Sequence, residues 1–262
     1  MKKIGKHKLY RGDCLKVMKS IPDKSVDMIL CDLPYGTTAC KWDTVIPFEP
    51  LWKQYKRVIK DRGAIALFGS EPFSSCLRMS CLELYKYDMY WRKSRPAGYT
   101  NAKLKPLKDI ETISVFSYGT TANGARANMH YYPQGLEVCK KHWHRPKNYL
   151  DGDRGVNTSR VNNKLSREIT YASFPRQVID YANPNRNNLH PTQKPVALLE
   201  YLIKTYTLEG ETVLDNTMGS GSTIVACENT DRIGIGIEKD KDYFKAAVRR
   251  IRTTYLAKHK QR

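Results

Sequence analysis

The chain has 262 residues, enough for one large domain or for a core with a smaller second lobe. Its 45 Lys and Arg residues outnumber its 26 Asp and Glu residues, and the net charge of +19 favours a polyanionic partner such as nucleic acid. The longest apolar stretches have the length of a strand, and the seven cysteines form neither a CxxC pair nor a cluster with histidine. We therefore expect no membrane span, no disulfide framework, no metal site and a cytoplasmic location.

Short apolar, β-branched segments alternate with amphipathic ones, a pattern typical of an α/β protein with a mostly parallel sheet. We predict strands at residues 8–11, 26–31, 64–68, 87–91, 112–117, 212–214 and 234–237. We predict helices at residues 48–60, 71–84, 195–207, 222–229 and 241–256. Residues 119–189 carry no long apolar repeat, so we interpret them as an insert between two halves of a core, residues 1–118 and 190–262.

The sequence Asp-Leu-Pro-Tyr-Gly at residues 32–36 directly follows the predicted strand at 26–31. It should therefore lie at the carboxyl end of that strand, the edge at which open α/β sheets bind ligands. Asp32 offers a hydrogen-bond acceptor, Pro34 turns the chain and frees its carbonyl, and Tyr35 offers a flat face for stacking on a base. An ordinary turn after a strand is the alternative interpretation.

The stretch His-Pro-Thr-Gln-Lys-Pro at residues 190–195 precedes the predicted helix at 195–207. Pro195 suits the first turn of that helix, so Thr192 and Lys194 should lie beside its N-terminus. A linker bracketed by prolines is the alternative here.

A glycine-rich turn at residues 215–223, Asp-Asn-Thr-Met-Gly-Ser-Gly-Ser-Thr, joins the predicted strand at 212–214 to the next helix. Glycine lets a ligand approach the backbone, and a helix N-terminus presents free N–H groups to a carboxylate or phosphate. About twenty residues later Glu238 ends a strand, the position at which an acidic residue binds ribose in Rossmann-like sites. The turn lacks the GxGxxG spacing of a dinucleotide site.

In this order, these pieces resemble the β-group of the DNA methyltransferases that methylate amino groups. In that family a D-P-P-Y motif precedes the target-recognition region, and the cofactor motif D-P-F-x-G-S-G-T comes last. Residues 12–14, Gly-Asp-Cys, are similar to the family's GD motif, and residues 236–238 to its G-I-E segment. The resemblance implies a Rossmann-like S-adenosylmethionine-dependent methyltransferase sheet with a circularly permuted motif order and an inserted target-recognition region.

The resemblance also implies roles for single residues. Asp32 and the Pro34 carbonyl would accept hydrogen bonds from the amino group of the target base, and Tyr35 would stack on that base. The cofactor would be S-adenosylmethionine. Its site would comprise Asp13 and Cys14 at the adenine end, Glu238 at the ribose, Thr192 and Lys194 near the methionine carboxylate, and Asp215, Met218, Gly219, Ser220, Gly221, Ser222 and Thr223 around the methionine portion.

Two positions depart from the family pattern. Leu33 replaces the first proline of D-P-P-Y, but the acid, the second proline and the aromatic ring are kept, so we expect the chemistry to survive. Asn216 and Thr217 stand where the family usually has Pro and Phe, so we expect an aromatic contact to the cofactor to be absent.

The implied function is methylation of adenine N6 in double-stranded DNA, with the target base flipped out of the duplex. Cytosine N4 is the alternative, although the cytosine enzymes more often carry Ser at the position of Asp32. RNA or protein-glutamine methyltransferases usually place the cofactor motif first, and an inactive DNA-binding module would not need the intact motifs. The recognition sequence, the restriction, phage or regulatory role, and the oligomeric state, with a homodimer as one option, stay open.

The family places its target-recognition region where this chain has its insert, and there basic residues alternate with aromatic ones, which suits phosphate contact and stacking. A solvated insertion is the alternative. The residues predicted to contact DNA are Arg126, Lys140, Lys141, Arg145, Lys147, Arg154, Arg160 and Lys164.

Overall fold

The structure, a computed structural model, describes residues 1–37, 43–144, 166–184 and 193–260, with the backbone alone for residues 140–144 and 166–170. The chain divides into two compact units. The larger comprises Met1–Tyr132 and Gln177–Arg262, and the smaller comprises Pro133–Arg176. The predicted insert boundaries at residues 119 and 189 remain a prediction.

The strands, in chain order, are β1 (Lys2–Ile4), β2 (His7–Arg11), β3 (Val26–Asp32), β4 (Ile59–Gly69), β5 (Tyr85–Ala97), β6 (Lys108–Phe116), β7 (Glu137–His144), β8 (Ser166–Ala172), β9 (Val178–Tyr181), β10 (Thr212–Asp215) and β11 (Ile233–Glu238). The helices are α1 (Cys14–Met18), α2 (Phe48–Val58), α3 (Phe73–Met79), α4 (Val196–Tyr206), α5 (Ser222–Asn229) and α6 (Lys241–His259), with a short 3-10 helix at Tyr99–Asn101. The smaller unit contains the antiparallel pair β7 and β8.

The larger unit holds a nine-stranded sheet in the order β1-β2-β11-β10-β3-β4-β6-β5-β9. Strands β2, β11, β10, β3 and β4 run parallel to one another, and β9 is parallel to β5. Strand β1 is antiparallel to β2, and β6 is antiparallel to both β4 and β5. This architecture confirms the predicted α/β class with a largely parallel sheet.

The strand order reverses between β3 and β10. From β3 the chain continues to β4 on one side, and from β10 it continues to β11 on the other. Connections that leave in opposite directions open a crevice at the carboxyl ends of the two strands. The sequences that follow β3 and β10, the two predicted motifs, therefore meet at one crevice.

Strand β3 lies at the centre and is buried on both faces, because alternate side chains point to opposite sides of a sheet. Ile29 packs with α1, α2 and α3 on one face, while Met28 and Leu30 pack with α4 on the other. Helix α6 covers α5, with Ile251 among its buried residues. Strand β3 is thus held rigidly up to Asp32.

Several predicted bounds were wrong. Strand β5 extends to Ala97, beyond the predicted 87–91, and β6 begins at Lys108 and not at residue 112. The helix predicted at residues 71–84 is shorter, because α3 ends at Met79 and Ser80 caps it by donating to the carbonyl of Leu77. The strand predicted at 64–68 begins earlier, at Ile59, directly after α2. Strands β1, β7, β8 and β9 and helix α1 were not predicted. In the part of the chain that is described, no helix is long and apolar enough to cross a membrane.

Candidate active site

A cavity of about 1250 Å³ opens at the crevice beyond β3 and β10. Most of the residues predicted to form the site line it: Asp13, Cys14, Asp32, Pro34, Tyr35, Lys194, Asp215, Met218, Gly219, Ser220, Ser222, Thr223 and Glu238. Gly221 instead supports the turn, because a Cβ added there would lie 2.9 Å from Ile251 Cδ1. Thr192 lies outside the described residues.

Both oxygens of the Asp32 carboxylate have partners. The hydroxyl of Tyr35 donates to Oδ1 over 2.6 Å, and Lys194 Nζ donates to Oδ2 over 2.5 Å. The Tyr35 ring packs on Phe73 with ring centroids 5.0 Å apart. Burial, reinforced by the charge of Asp32, raises the pKa of Tyr35 well above its usual value, so the phenol keeps its proton and serves as the donor. Asp32 is thereby held in a single orientation.

Lys194 joins Asp32 to a second carboxylate that sequence reasoning missed. Its Nζ lies 3.5 Å from Glu111 Oε2, and Lys93 Nζ donates to Glu111 Oε1 over 2.9 Å. Burial alone would lower the pKa of Lys194, but Asp32 and Glu111 outweigh it and raise that pKa. For Glu111 the signs are reversed: burial alone would raise its pKa, but the positive charges of Lys194 and Lys93 outweigh burial and lower that pKa. We call Asp32, Lys194, Glu111 and Lys93 the catalytic-edge cluster.

The topology explains how Glu111 reaches Asp32. Strand β6 runs antiparallel to β4, so its first residues lie at the edge where β3 and β4 end. Glu111 is in register with Trp91 of β5, and Lys93 follows two residues later. The sequence signal was a glutamate that directly precedes the predicted strand at residues 112–117.

The loop after Tyr35 is fixed by Asp43, another residue that the sequence did not single out. Its two carboxylate oxygens accept the backbone N–H groups of Gly36 and Thr37 over 2.8 and 2.9 Å. Gly36 has a φ of +69°, a conformation that glycine adopts without strain. The start of this loop is therefore held beside the cavity.

Glu238 accepts hydrogen bonds from the glycine-rich turn, from the segment after β11 and from the segment that contains Asp13. Its Oε2 accepts from the Gly219 N–H over 2.9 Å, and its Oε1 accepts from the Asp240 N–H over 2.7 Å. Its backbone carbonyl accepts from the Gly12 N–H over 2.9 Å, next to Asp13. Burial raises the pKa of Glu238. Segments from opposite ends of the chain thus meet at the cavity, because β2 and β11 are neighbours.

The glycine-rich turn places Asp215 at the end of β10, 4% exposed. Burial raises the pKa of this carboxyl group to about 7, although the Thr223 side chain and the Thr217 N–H, which donates over 3.1 Å, act in the opposite direction. The Arg250 guanidinium on α6 donates to the hydroxyl groups of Ser220 and Ser222 over 3.1 and 2.9 Å. The positively charged Arg250 side chain therefore contacts the start of α5.

The two residues that depart from the family pattern contact strand β3. Asn216 Oδ1 accepts from the hydroxyl of Tyr55 over 2.6 Å and from Cys31 Sγ over 2.8 Å. The Thr217 hydroxyl donates to the backbone carbonyl of Asp32 over 3.0 Å. These hydrogen bonds connect the glycine-rich turn with strand β3 and the Asp32 motif.

The residues predicted to contact DNA are mostly beyond what the structure describes. Arg126 is exposed in the larger unit, and Lys140 and Lys141 belong to β7, where the backbone alone is described. Arg145, Lys147, Arg154, Arg160 and Lys164 lie outside the described residues. Among the residues that are described, no group of three or more His, Cys, Asp or Glu side chains could hold a metal ion.

The chain is similar in sequence to known methyltransferases. The family model described as DNA methylase matches residues 26–249. The chain is 28% identical to the type II methyltransferase M.HpaI of Haemophilus parainfluenzae, covering 93% of this chain and 74% of the relative. It is 27% identical to the DNA adenine methyltransferase YhdJ of Escherichia coli strain K12, covering 93% of this chain and 82% of the relative.

Two solved structures share the fold. A complex of M1.HpyAVI with SAM has a TM-score of 0.62 at 24% identity and covers 93% of this chain and 98% of that chain. The PvuII DNA methyltransferase, described as cytosine-N4-specific, has a TM-score of 0.62 at 14% identity. The match covers 94% of this chain and 90% of that chain. The family model spans most of the sequence and includes the Asp32 motif, the glycine-rich turn and Glu238, so this chain belongs to the DNA methylase family.

Proposed function

We propose that the protein transfers the methyl group of S-adenosylmethionine to the exocyclic N6 amino group of adenine in duplex DNA. The observation that carries the proposal is the hydrogen bond from the Thr217 hydroxyl to the Asp32 carbonyl, which joins the glycine-rich turn to the Asp32 motif at one cavity. A methyl donor on the turn and an amino group at Asp32 would share that cavity. Asp32 itself, and the relative named as a DNA adenine methyltransferase, favour adenine.

The residues at the cavity fit S-adenosylmethionine. The Glu238 carboxylate can accept from ribose hydroxyls, and Asp215 offers an acceptor for the methionine amino group. The N-terminus of α5 offers N–H groups to the methionine carboxylate. Asn216 lines the cavity, and its buried Nδ2 has no hydrogen-bond partner among the described residues. A ligand acceptor would satisfy that donor. When bound, the cofactor supplies a methyl group already activated by its sulfonium.

Asp32 acts on the target amino group in this proposal. The lone pair of an exocyclic amino group is delocalised into the ring, so the nitrogen is a poor nucleophile until hydrogen bonds localise the pair. Each carboxylate oxygen can accept a second hydrogen bond, so Asp32 can bind an amino hydrogen while Tyr35 and Lys194 stay in place. The Pro34 carbonyl would accept the second amino hydrogen. The nitrogen would lose one proton to solvent when it gains the methyl group, with S-adenosylhomocysteine as the other product.

The catalytic-edge cluster would keep Asp32 in position during the reaction. An acceptor that is already oriented needs little reorganisation in the transition state. Lys194 is 7% exposed and lies over the Phe68 ring, with Nζ 5.0 Å from the centroid. We assign Lys194 and Glu111 as positioning residues. The contact of Lys194 with the methionine carboxylate remains a prediction.

The base must leave the duplex to reach Asp32, at a cost of roughly a few kcal/mol. Stacking on an aromatic ring offsets part of that cost, and Tyr35 lines the cavity beside Asp32. The net charge of +19 would attract the phosphate backbone. We propose that the insert recognises the DNA sequence. Replacing Arg145, Lys147 and Arg154 together by alanine should then change the salt dependence of DNA binding or the sequence that is methylated.

Cytosine N4 methylation is the second candidate, favoured by the fold shared with a cytosine-N4-specific enzyme. Expression in a host that lacks DNA methylation, followed by sequencing with modified-base detection, separates the two. We expect N6-methyladenine at one sequence motif. N4-methylcytosine would replace the proposal by its alternative, and unmodified DNA would contradict both.

We propose a cytoplasmic location as well; no disulfide joins any of the six cysteines in the described residues. A homodimer remains a prediction, to be tested by light scattering.

A further inference from the structure

The hairpin between β5 and β6 projects beyond the catalytic edge of the sheet. Strand β5 runs toward that edge and β6 returns from it, so the tip between Ala97 and Lys108 lies past the ends of β3 and β4. Arg95, Pro96, Ala97 and Tyr99 line the cavity. We propose that this hairpin, residues 92–108, contacts the DNA duplex and that Leu104 inserts into the base stack where the target base has left. The proposal rests on the function proposed above.

The charge of the hairpin fits a phosphate backbone. Residues 92–108 include six Lys and Arg residues and no Asp or Glu. Arg92 pairs with Asp180, and Lys93 pairs with Glu111. The others have no acidic partner within salt-bridge distance in the described chain: Arg95, Lys103, Lys105 and Lys108. Unpaired cations beside the entrance of the cavity are placed to bind the phosphates that flank a flipped base.

The hairpin is also fixed before DNA arrives. Asn183 clamps the stem, because its Oδ1 accepts from the Arg95 N–H over 3.0 Å and its Nδ2 donates to the Arg95 carbonyl over 3.2 Å. At the tip, Gly98 has a φ of +93° and its carbonyl accepts from the Asn101 N–H over 3.0 Å. The Leu104 N–H donates to the Asn101 carbonyl over 2.9 Å. A tip ordered in this way loses little conformational entropy on binding.

Leu104 is the apolar group at this tip. Its exposed fraction of 84% is the largest of the exposed large hydrophobic side chains in the described residues, and Lys103 and Lys105 flank it. A single exposed leucine is common on protein surfaces. A leucine between two cations, on a fixed turn beside a cavity for a flipped base, matches the apolar wedges that proteins insert between base steps.

The experiment uses the full enzyme and a duplex that carries its methylated motif, with 2-aminopurine in place of the target adenine. Unstacking of 2-aminopurine raises its fluorescence and so reports flipping. We expect Leu104→Ala to lower the fluorescence of the saturated complex and to lower kcat on the normal duplex on the order of tenfold. A mismatch at the target base pair lowers the free-energy cost of flipping and should restore most of the lost rate.

Leu208→Ala is the matched control. Leu208 is 50% exposed in the loop between α4 and β10, at the opposite edge of the sheet. It should retain wild-type fluorescence and rate. The inference is overturned if Leu104→Ala behaves like wild type, if Leu208→Ala loses as much, or if the mismatch restores nothing. Failure of the proposed function is distinct, because the wild-type enzyme would then not methylate adenine at all.

The phosphate contacts are tested separately by the double variant Lys103→Ala with Lys105→Ala. We expect the slope of log binding constant against log salt to shrink by about two, because each lost phosphate contact removes about 0.9. The control removes the same charge through Lys3→Ala with Lys8→Ala, two exposed residues paired across β1 and β2. An unchanged slope for the hairpin variant, or an equal change in the control, would contradict the DNA contact.

Discussion

Two clusters of ionisable groups lie at opposite edges of the same sheet. The catalytic-edge cluster stands where β3 and β10 end. The second, which we call the His7 cluster, consists of His7, Glu228 and His259 and stands where β2 and β11 begin. Glu228 accepts from His7 over 2.7 Å and contacts His259 over 3.0 Å. Both clusters pair a carboxylate with basic side chains, so the residue types alone do not distinguish them.

The difference lies in what each cluster faces. His7 Nδ1 accepts the Gly234 N–H over 2.9 Å, which leaves Nε2–H to donate to Glu228, so every nitrogen and carboxylate oxygen of that pair is used. Burial lowers the pKa of His7 below its ordinary value and keeps the ring neutral. In the catalytic-edge cluster, Asp32, Glu111 and both lysines line the cavity. A cluster of paired ionisable groups therefore identifies a site when it also faces a space that a substrate can enter.

Removing the acceptor at the catalytic edge should have the largest effect. We expect Asp32→Ala to lower the methyl-transfer rate by a factor of about 10³, similar to the loss of one oriented group in other active sites. The dissociation constant of S-adenosylmethionine should change little, because Thr217 contacts the backbone carbonyl that alanine retains. Tritium transfer and calorimetry measure the two quantities. Equal losses in both would assign Asp32 a structural role.

The next prediction compares one variant in each of the two clusters. Glu111→Gln should lower kcat by roughly tenfold to a hundredfold, because Asp32 loses its exact placement through Lys194, while KM for the cofactor stays near its wild-type value. Glu228→Ala leaves the buried His7 donor unpaired and should lower the free energy of unfolding by about 1 to 3 kcal/mol with kcat of the folded enzyme unchanged. Chemical denaturation and steady-state kinetics on both variants provide the comparison. If Glu228→Ala had the larger effect on kcat, the comparison would be wrong.

Cofactor binding gives a smaller and more specific effect. Glu238→Ala removes an acceptor that holds the Gly219 and Asp240 N–H groups, so we expect the dissociation constant of S-adenosylmethionine to rise by roughly tenfold to a hundredfold. The rate at saturating cofactor should change less. Glu238→Gln, which keeps one oxygen acceptor, should fall between wild type and alanine. An unchanged dissociation constant would remove Glu238 from the ribose site.

The smallest expected effect is a pH dependence through Asp215. Its pKa of about 7, raised by burial, means that the free protein holds a proton there below pH 7, and a bound ammonium group would favour the ionised form. Affinity for S-adenosylmethionine should therefore rise about tenfold between pH 6 and pH 8, with release of a proton. Calorimetry in buffers of different ionisation enthalpy measures both quantities. A profile equally steep in Asp215→Asn would contradict the assignment.

The same raised pKa affects stability in the opposite direction. The unfolded chain binds fewer protons at Asp215 than the folded one between the ordinary pKa of 3.8 and about 7. The contribution of Asp215 to folding is therefore fully present below pH 3.8 and is lost as the pH rises through 7.

Part of the fold and of the candidate site could be predicted from the sequence. The strand before Asp32, the glycine-rich turn and all of α5 follow from local apolar patterns and glycine spacing, and the structure has them at or near the predicted positions. Glu111 could not be found in this way, because its approach to Asp32 depends on β6 running antiparallel between β4 and β5. Local patterns do not encode the pairing of distant strands.

The most direct test of the account is the fate of a labelled methyl group. Duplex DNA is incubated with S-adenosylmethionine carrying a deuterated methyl group and with wild-type enzyme or Asp32→Ala, and its nucleosides are then analysed by mass spectrometry. We predict label in N6-methyladenine with the wild-type enzyme and almost none with Asp32→Ala. Label in N4-methylcytosine, or equal label with both enzymes, would contradict adenine methylation at Asp32.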